Sequence, residues 1–190
     1  LLLIAGSLLQ PDSGQVIIAG EDFAALNKEE KASRRAGTIG FVFQRFHLLP
    51  YLTVAENIVA AAIAIKPRPA DPVGRAEELM KEMGILHRRH HLPGELSVGE
   101  MQRTALARAL FNKPKVILAD EPTGNLDPEN SDIVLKSFAD FAAGGGTVLM
   151  VTHNVDHAGR ADVSRRLTHG GLEGGKTAGP DKESAENNQS

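Results

Sequence analysis

Apolar and polar positions fall in blocks along the chain, and the blocks alternate between the repeats of strands and helices. The opening LLLIAGSLL reads as the end of a buried helix, with Gly6 as its stop and Pro11-Asp12-Ser13-Gly14 as turn chemistry behind it. Residues 15–19 are β-branched and apolar between Gly14 and Gly20, which predicts a strand. Asn27-Lys28-Glu29-Glu30 places a cap acceptor three residues before a glutamate and starts a short polar helix to Gly37. Residues 38–44 (TIGFVFQ) form the next strand, which delivers Gln44 at its end.

From Arg45 to Pro93 the pattern turns helical. Thr53-Val54-Ala55-Glu56 is a capping box opening an alanine-rich helix to about Ile65, stopped by Pro67, Pro69 and Pro72. Asp71-Pro72 supplies a cap and first-turn proline for a second helix that ends near Gly84. A further box, Ser97-Val98-Gly99-Glu100, starts a helix whose Met101, Ala105, Leu106, Ala109 and Leu110 share one face. Residues 116–119 are a continuous apolar strand suited to burial on both faces, ended by Asp120 and Glu121. Asp127-Pro128 caps another helix, with Val134, Phe138 and Phe141 inward and a triple glycine at 144–146 as its break. Residues 147–152 (TVLMVT) read as the next buried strand, with His153 at its exit. After Gly170 the tail is rich in Gly, Ser and charge, and disorder is expected over 171–190. Strand and helix alternating, with polar residues at strand exits, predict an α/β sheet whose ligand lies beyond the carboxyl ends of the strands.

Composition narrows the function. A chain of 190 residues, 42% hydrophobic, is long enough for one domain with a sizeable core. The absence of cysteine excludes a thiol nucleophile, a thiolate zinc site and an iron–sulfur cluster. Twenty-one basic against 24 acidic residues leave a net charge of −3, with no excess to draw the surface toward nucleic acid. The longest apolar stretches, 1–9 and 58–65, fall short of the roughly 20 residues of a bilayer crossing. Residues 1–9 also lack a basic leader and a small-residue cleavage site, so the sequence reads as beginning within a longer fold.

Asp120 and Glu121 point to opposite sides of a strand end, where one carboxylate could hold Mg²⁺ and the other orient a water. The same pair also reads as an acidic strand end in water. The helix that begins at Ser97 offers free amides and the positive end of its dipole, and Gly99 allows close approach of an anion. It reads equally as an ordinary capped core helix. His87, His90 and His91 cluster, and His153 and His157 stand at i, i+4 spacing. Neither group has cysteine support, the second lacks the Glu of a His-Glu-x-x-His zinc helix, and Arg88 and Arg89 interrupt the first, so exposed polar histidine is the reading preferred for His87, His90, His91 and His157.

Taken in order, these segments resemble the ATP-binding subunit of ABC transporters from Leu1 to about Gly170. FVFQRFHLLPYLTVAEN (41–57) is similar to the Q-loop region, and LSVGEMQR (96–103) to the signature motif. VILADEPTGNLD (116–127) is similar to Walker B with the D-loop, and VTHN (151–154) to the switch histidine. ADEPTGNLD with FHLLPYLTV most resembles the branch serving lipoprotein release and macrolide export. The resemblance implies a P-loop NTPase (RecA-like) core at 1–170, with an inserted helical subdomain at about 45–105 and a disordered tail at 171–190. It implies ATP and Mg²⁺ as cofactors. Asp120 would ligate the metal, Glu121 polarise the attacking water, Gln44 sense metal and γ-phosphate, and His153 reach the γ-phosphate. Ser97, Gly99 and Glu100, at the head of their helix, would serve the nucleotide held by a second, head-to-tail subunit, and Asn125 and Asp127 would line that interface. Permease subunits would be the other partner, on the cytoplasmic face of the bacterial inner membrane.

Two departures qualify the resemblance. No Gly-x-x-x-x-Gly-Lys-Ser/Thr occurs in the 190 residues, so the fold is expected to lack its first strands and phosphate loop, with the chain beginning just after that loop. Such a chain is expected to bind ATP weakly, to leave it unhydrolysed, and to expose apolar sheet edges. Val98 stands where the family usually has Gly, and Met101 where it usually has Gln; a branched side chain at 98 limits backbone approach to a phosphate. The alternatives are a non-transport ABC ATPase of DNA repair or translation, for which basic tracts, zinc modules or a second cassette would be expected, and a binding-only relic.

Overall fold

A parallel three-stranded sheet carries the candidate chemistry, as described by a computed structural model over residues 1–177. β4 (Val116–Asp120) lies between β3 (Ile39–Phe43) and β5 (Thr147–Val151), all three in parallel register. Its unbroken apolar run suits that central place, and Ile117, Leu118 and Ala119 are buried. Alternate side chains serve two cores. Val42, Ile117, Ala119, Val148 and Met150 pack into the larger, helical one. Ile39, Phe41, Val116 and Leu118 face the smaller one, formed with Ile18, Phe23 and the short helix α1 (Leu2–Ala5).

The helices follow the capping signals. Asn27 accepts from the amides of Glu29 and Glu30 to start α2 (Lys28–Thr38). Thr53 and Glu56 form the box that starts α3 (Val54–Val59). The helix expected to continue to Ile65 instead tightens after Val59 into a 3₁₀ segment (Ala60–Ala64), a common way to finish a helix. Asp71 caps α4 (Pro72–Glu82), Ser97 caps α5 (Val98–Leu110) and Asp127 caps α6 (Pro128–Ala143). Ile58, Leu79, Met80, Leu106 and Val134 of these helices meet in the large core. Among the described residues no helix is long and apolar enough to cross a membrane.

The strand expected at 15–19 is reduced to a two-residue pair, β1 (Ile17–Ile18) with β2 (Glu21–Asp22). β5 also differs from expectation. It reads as a buried strand, yet Leu149 and Val151 remain 38% and 37% exposed. The reason is that this face of β5 lies beyond the smaller core, which takes in Val116 and Leu118 of β4 but neither Leu149 nor Val151.

The chain divides into two units, Leu1–Val151 and Thr152–Ser190. The second holds α7 (Val155–Ala158) and an antiparallel hairpin of β6 (Val163–Thr168) with β7 (Gly171–Thr177). The expected disorder of 171–190 is thus corrected for Gly171–Thr177; residues 178–190 lie outside the described residues. The turn is set by His169 and Gly170, both left-handed at φ 47° and 82°, the signature of a two-residue type I′ turn.

Candidate functional site

Register brings the strand exits together. Phe43, Asp120 and Val151 form one row across the carboxyl end of the sheet, so Gln44 and Glu121 leave it side by side. Glu121 is left-handed at φ 44°, an unusual conformation for a non-glycine residue and one that turns the chain sharply off the strand. Its amide donates to Val151 O at 2.9 Å, and its carbonyl accepts from Gly124 N at 3.1 Å. The Gln44 side-chain amide lies against Gly124, where a β-carbon would stand 3.2 Å from Gln44 Nε2. Asn125 Nδ2 reaches Gln44 O at 3.4 Å. Gln44, Asp120, Glu121 and Asn125 are therefore neighbours within one unit. His153 follows Val151 by two residues and belongs to the second unit, where Asn154 caps α7 by accepting from the amides of Asp156 and His157.

A second group sits at the head of α5. Ser97 Oγ accepts from Glu100 N at 3.2 Å, and Glu100 Oε2 accepts from Ser97 N at 2.8 Å. The other carboxylate oxygen takes Arg88 Nε at 2.8 Å, with His87 Nε2 3.6 Å away. Burial pushes the Glu100 carboxyl up, but the Ser97 amide, the Arg88 guanidinium and the Ser97 hydroxyl outweigh it and hold the group down at about 2. Both oxygens of Glu100 are thereby engaged inside the protein.

Asp127 caps α6, accepting from Asn130 N at 2.8 Å and Asn130 Nδ2 at 2.7 Å, bonds that lower its carboxyl's affinity for a proton. Asn130 Oδ1 in turn accepts from Arg103 of α5. Gly99 packs directly on this amide, and a β-carbon at 99 would collide with it. The glycine read as an opening for an anion is thus also required by packing inside the chain. Gly99→Ala is expected to push the Asn130 side-chain amide off Asp127 Oδ2 and Arg103 and cost about 1 kcal/mol, the usual net worth of a hydrogen bond, measured by urea unfolding. An unchanged midpoint would contradict this.

Several residues on α5 escape sequence reasoning. Gln102 is fully buried and donates from Nε2 to Pro122 O, 2.7 Å away, just beyond Glu121. Arg103 holds Asn130, and Arg108 reaches the segment after Gln44. The expected apolar stripe is only part of the buried surface, which also takes in Glu100, Gln102 and Thr104, while Met101 and Leu110 are half-buried. Polar residues on every side of a helix that also carries an apolar stripe were the available signal.

Asp120 and Gln44 offer hard oxygen donors of the kind Mg²⁺ takes one or two of, completing its shell with water and phosphate. Among the described residues no group of three or more His, Cys, Asp or Glu side chains forms a self-sufficient metal cage.

Comparison with known proteins agrees with this geometry. The sequence profile described as "ABC transporter" matches residues 1–124. The lipoprotein-releasing system ATP-binding protein LolD 1 of Rhodopirellula baltica is 46% identical over 173 residues, covering 90% of this chain and 76% of the relative. LolD of Paramagnetospirillum magneticum is 43% identical over 171 residues, with the same coverage of 90% and 76%. The dimeric post-hydrolysis structure of the ATP-binding cassette MJ0796, bound to ADP and Pi, superposes with a TM-score of 0.84 at 34% identity over 93% of this chain and 78% of that one. A parallel sheet with acidic and amide exits, a capped signature helix and these likenesses together make the chain a member of the ABC transporter family.

Proposed function

We propose that this chain is the ATP-binding and ATP-hydrolysing subunit of an ABC transporter of the lipoprotein-release type, working as a head-to-tail pair with permease subunits at the cytoplasmic face of the bacterial inner membrane. The observation that carries the reading is the row Phe43–Asp120–Val151, which sets Gln44, Asp120 and Glu121 at one sheet end. Two relatives bear the name of a lipoprotein-releasing system, and the similar cassette MJ0796 is a dimer holding ADP and Pi.

In this reading Asp120 and Gln44 would hold Mg²⁺, which would supply positive charge against the phosphates. Glu121 accepts a proton from the attacking water. His153 bears on the γ-phosphate. Ser97, Gly99 and the head of α5 serve the partner's nucleotide, and Asn125 and Asp127 face the same interface. Glu100 acts there through Ser97, since both its oxygens are already taken. The exposed Leu49 and Tyr51, behind Gln44, belong to the helical insert that meets the permease.

The lysine and amides of a phosphate-binding loop are not among the 190 residues, so these residues alone bind ATP weakly and leave it unhydrolysed. Two proteins test both parts of the reading: the 190-residue chain, and the same residues joined behind the N-terminal segment of the Rhodopirellula baltica relative. Nucleotide titration and phosphate release should show weak binding without turnover in the first and Mg²⁺-dependent turnover in the second. Turnover by the first at the rate of an intact relative would overturn the inactivity; none in the second would overturn the ATPase reading.

A further inference from the structure

A guanidinium from the last turn of α5 closes on two adjacent carbonyls just past Gln44. Arg108 donates from Nη1 to His47 O and from Nη2 to Phe46 O, each at 2.6 Å. The two residues it grips are both left-handed, at φ 58° and 48°, and neither is glycine. A β-carbon makes one such residue uncommon and two in succession costly, so this turn persists only where its surroundings over-determine it. Phe46 N bonds Phe43 O at 3.0 Å, and the His47 ring meets the Phe43 ring edge-on with centroids 4.9 Å apart. Those contacts tie the turn to its own strand. Arg108 ties it to the helical layer, and among the described residues it forms no ion pair, so its half-buried charge is directed at two neutral oxygens.

Gln44 stands two residues before this turn, with its amide against Gly124. The path taken at Phe46 and His47 fixes where the chain leaves β3 and so where that amide is presented. We propose that Arg108 is a positioning residue for Gln44, holding the left-handed turn that aims the Gln44 amide at the Glu121–Asn125 loop. The helix that carries Arg108 in its last turn, Val98–Leu110, is capped by Ser97 and is 13 residues long, about 20 Å at helical rise. It therefore makes one rigid piece of the signature head and the Q-loop clamp. The assignment rests on the role given to Gln44 above, but its test needs no turnover.

The test uses the 190-residue chain with two readouts: the nuclear Overhauser contact between the Gln44 side-chain amide and the Gly124 α-protons, and the rate of tryptic cleavage after Arg45. Arg108→Ala should abolish the contact and speed cleavage at least tenfold, leaving the β4 amides as protected as before. Arg108→Lys, which can reach one carbonyl, should fall between. Phe46→Gly in the Arg108→Ala background, compared with Phe46→Gly alone, should restore both readouts, because glycine takes the left-handed conformation without the β-carbon cost that the clamp offsets and leaves the His47–Phe43 ring contact in place. A merely structural arginine would loosen α5 generally and gain nothing from a glycine at 46. Unchanged readouts in Arg108→Ala, failure of Phe46→Gly to restore them, or global unfolding of both Arg108→Ala and Arg108→Lys would each overturn the proposal. Should the ATPase reading fail instead, the loss would appear in phosphate release while these two readouts stood.

Discussion

Glu121→Gln, in the chain joined to a relative's N-terminal segment, is expected to lower ATP turnover about 10²–10⁴-fold while nucleotide binding stays within about threefold; that is the usual worth of a positioned proton acceptor. The substitution is chosen because it changes charge and little else. Glutamine has the size of glutamate, so the left-handed backbone at 121 and its bonds to Val151 and Gly124 are undisturbed. What is lost is the ability to take a proton from water. Asp120→Asn should differ in kind: a metal ligand contributes to ground-state binding, so affinity for Mg²⁺-nucleotide should fall together with turnover. Phosphate release and nucleotide titration on the two variants separate these outcomes. Turnover within threefold of the parent in Glu121→Gln would remove Glu121 from the chemistry and shift the base elsewhere on the sheet edge.

What the sequence made readable was local. Asn27, Thr53, Asp71, Ser97 and Asp127 each cap the helix expected of them, because a cap is decided by a few neighbouring residues and one hydrogen bond. The strand at 116–119 extends only to Asp120, since an unbroken apolar run bounded by charge admits few other readings. The same reasoning failed where partners are remote. The exposure of Leu149 depends on what covers its face of β5, and no property of TVLMV encodes that. Arg108 bonds carbonyls 61 and 62 residues away, and Arg103 a side chain 27 residues away, so both look like ordinary surface positions of a helix. The left-handed turns at Phe46, His47 and Glu121 carry no glycine or asparagine to announce them. They stand beside the residues assigned to chemistry, where local rules are most often broken. The motifs therefore pointed to the candidate site, while the hydrogen bonds that shape it became visible only in three dimensions.

Glu100 offers the sharpest check on one of those bonds. Its carboxyl is buried to 8% exposure and held at about 2, against an ordinary 4.5, by the Ser97 amide and hydroxyl and by Arg88. A carboxyl depressed on folding stabilises the fold while it is ionised in both states, which is to say above the ordinary value of 4.5. The contribution is lost as pH falls from there through about 2, where the folded state at last takes up the proton the unfolded chain already holds. Such a shift corresponds to about 2–3 kcal/mol once partial solvent access is allowed for. Glu100→Gln keeps an acceptor for Ser97 N but leaves Arg88 without its partner, so urea unfolding at pH 7 should lose that amount. At pH 2 the parent has itself given up most of the advantage, and the two proteins should lie within about 1 kcal/mol of each other. A loss of the same size at both pH values would mean that packing volume, and not charge, fixes the head of α5. The bond between Glu100 and Arg88 would then drop out as the reason Ser97 is held at the helix start.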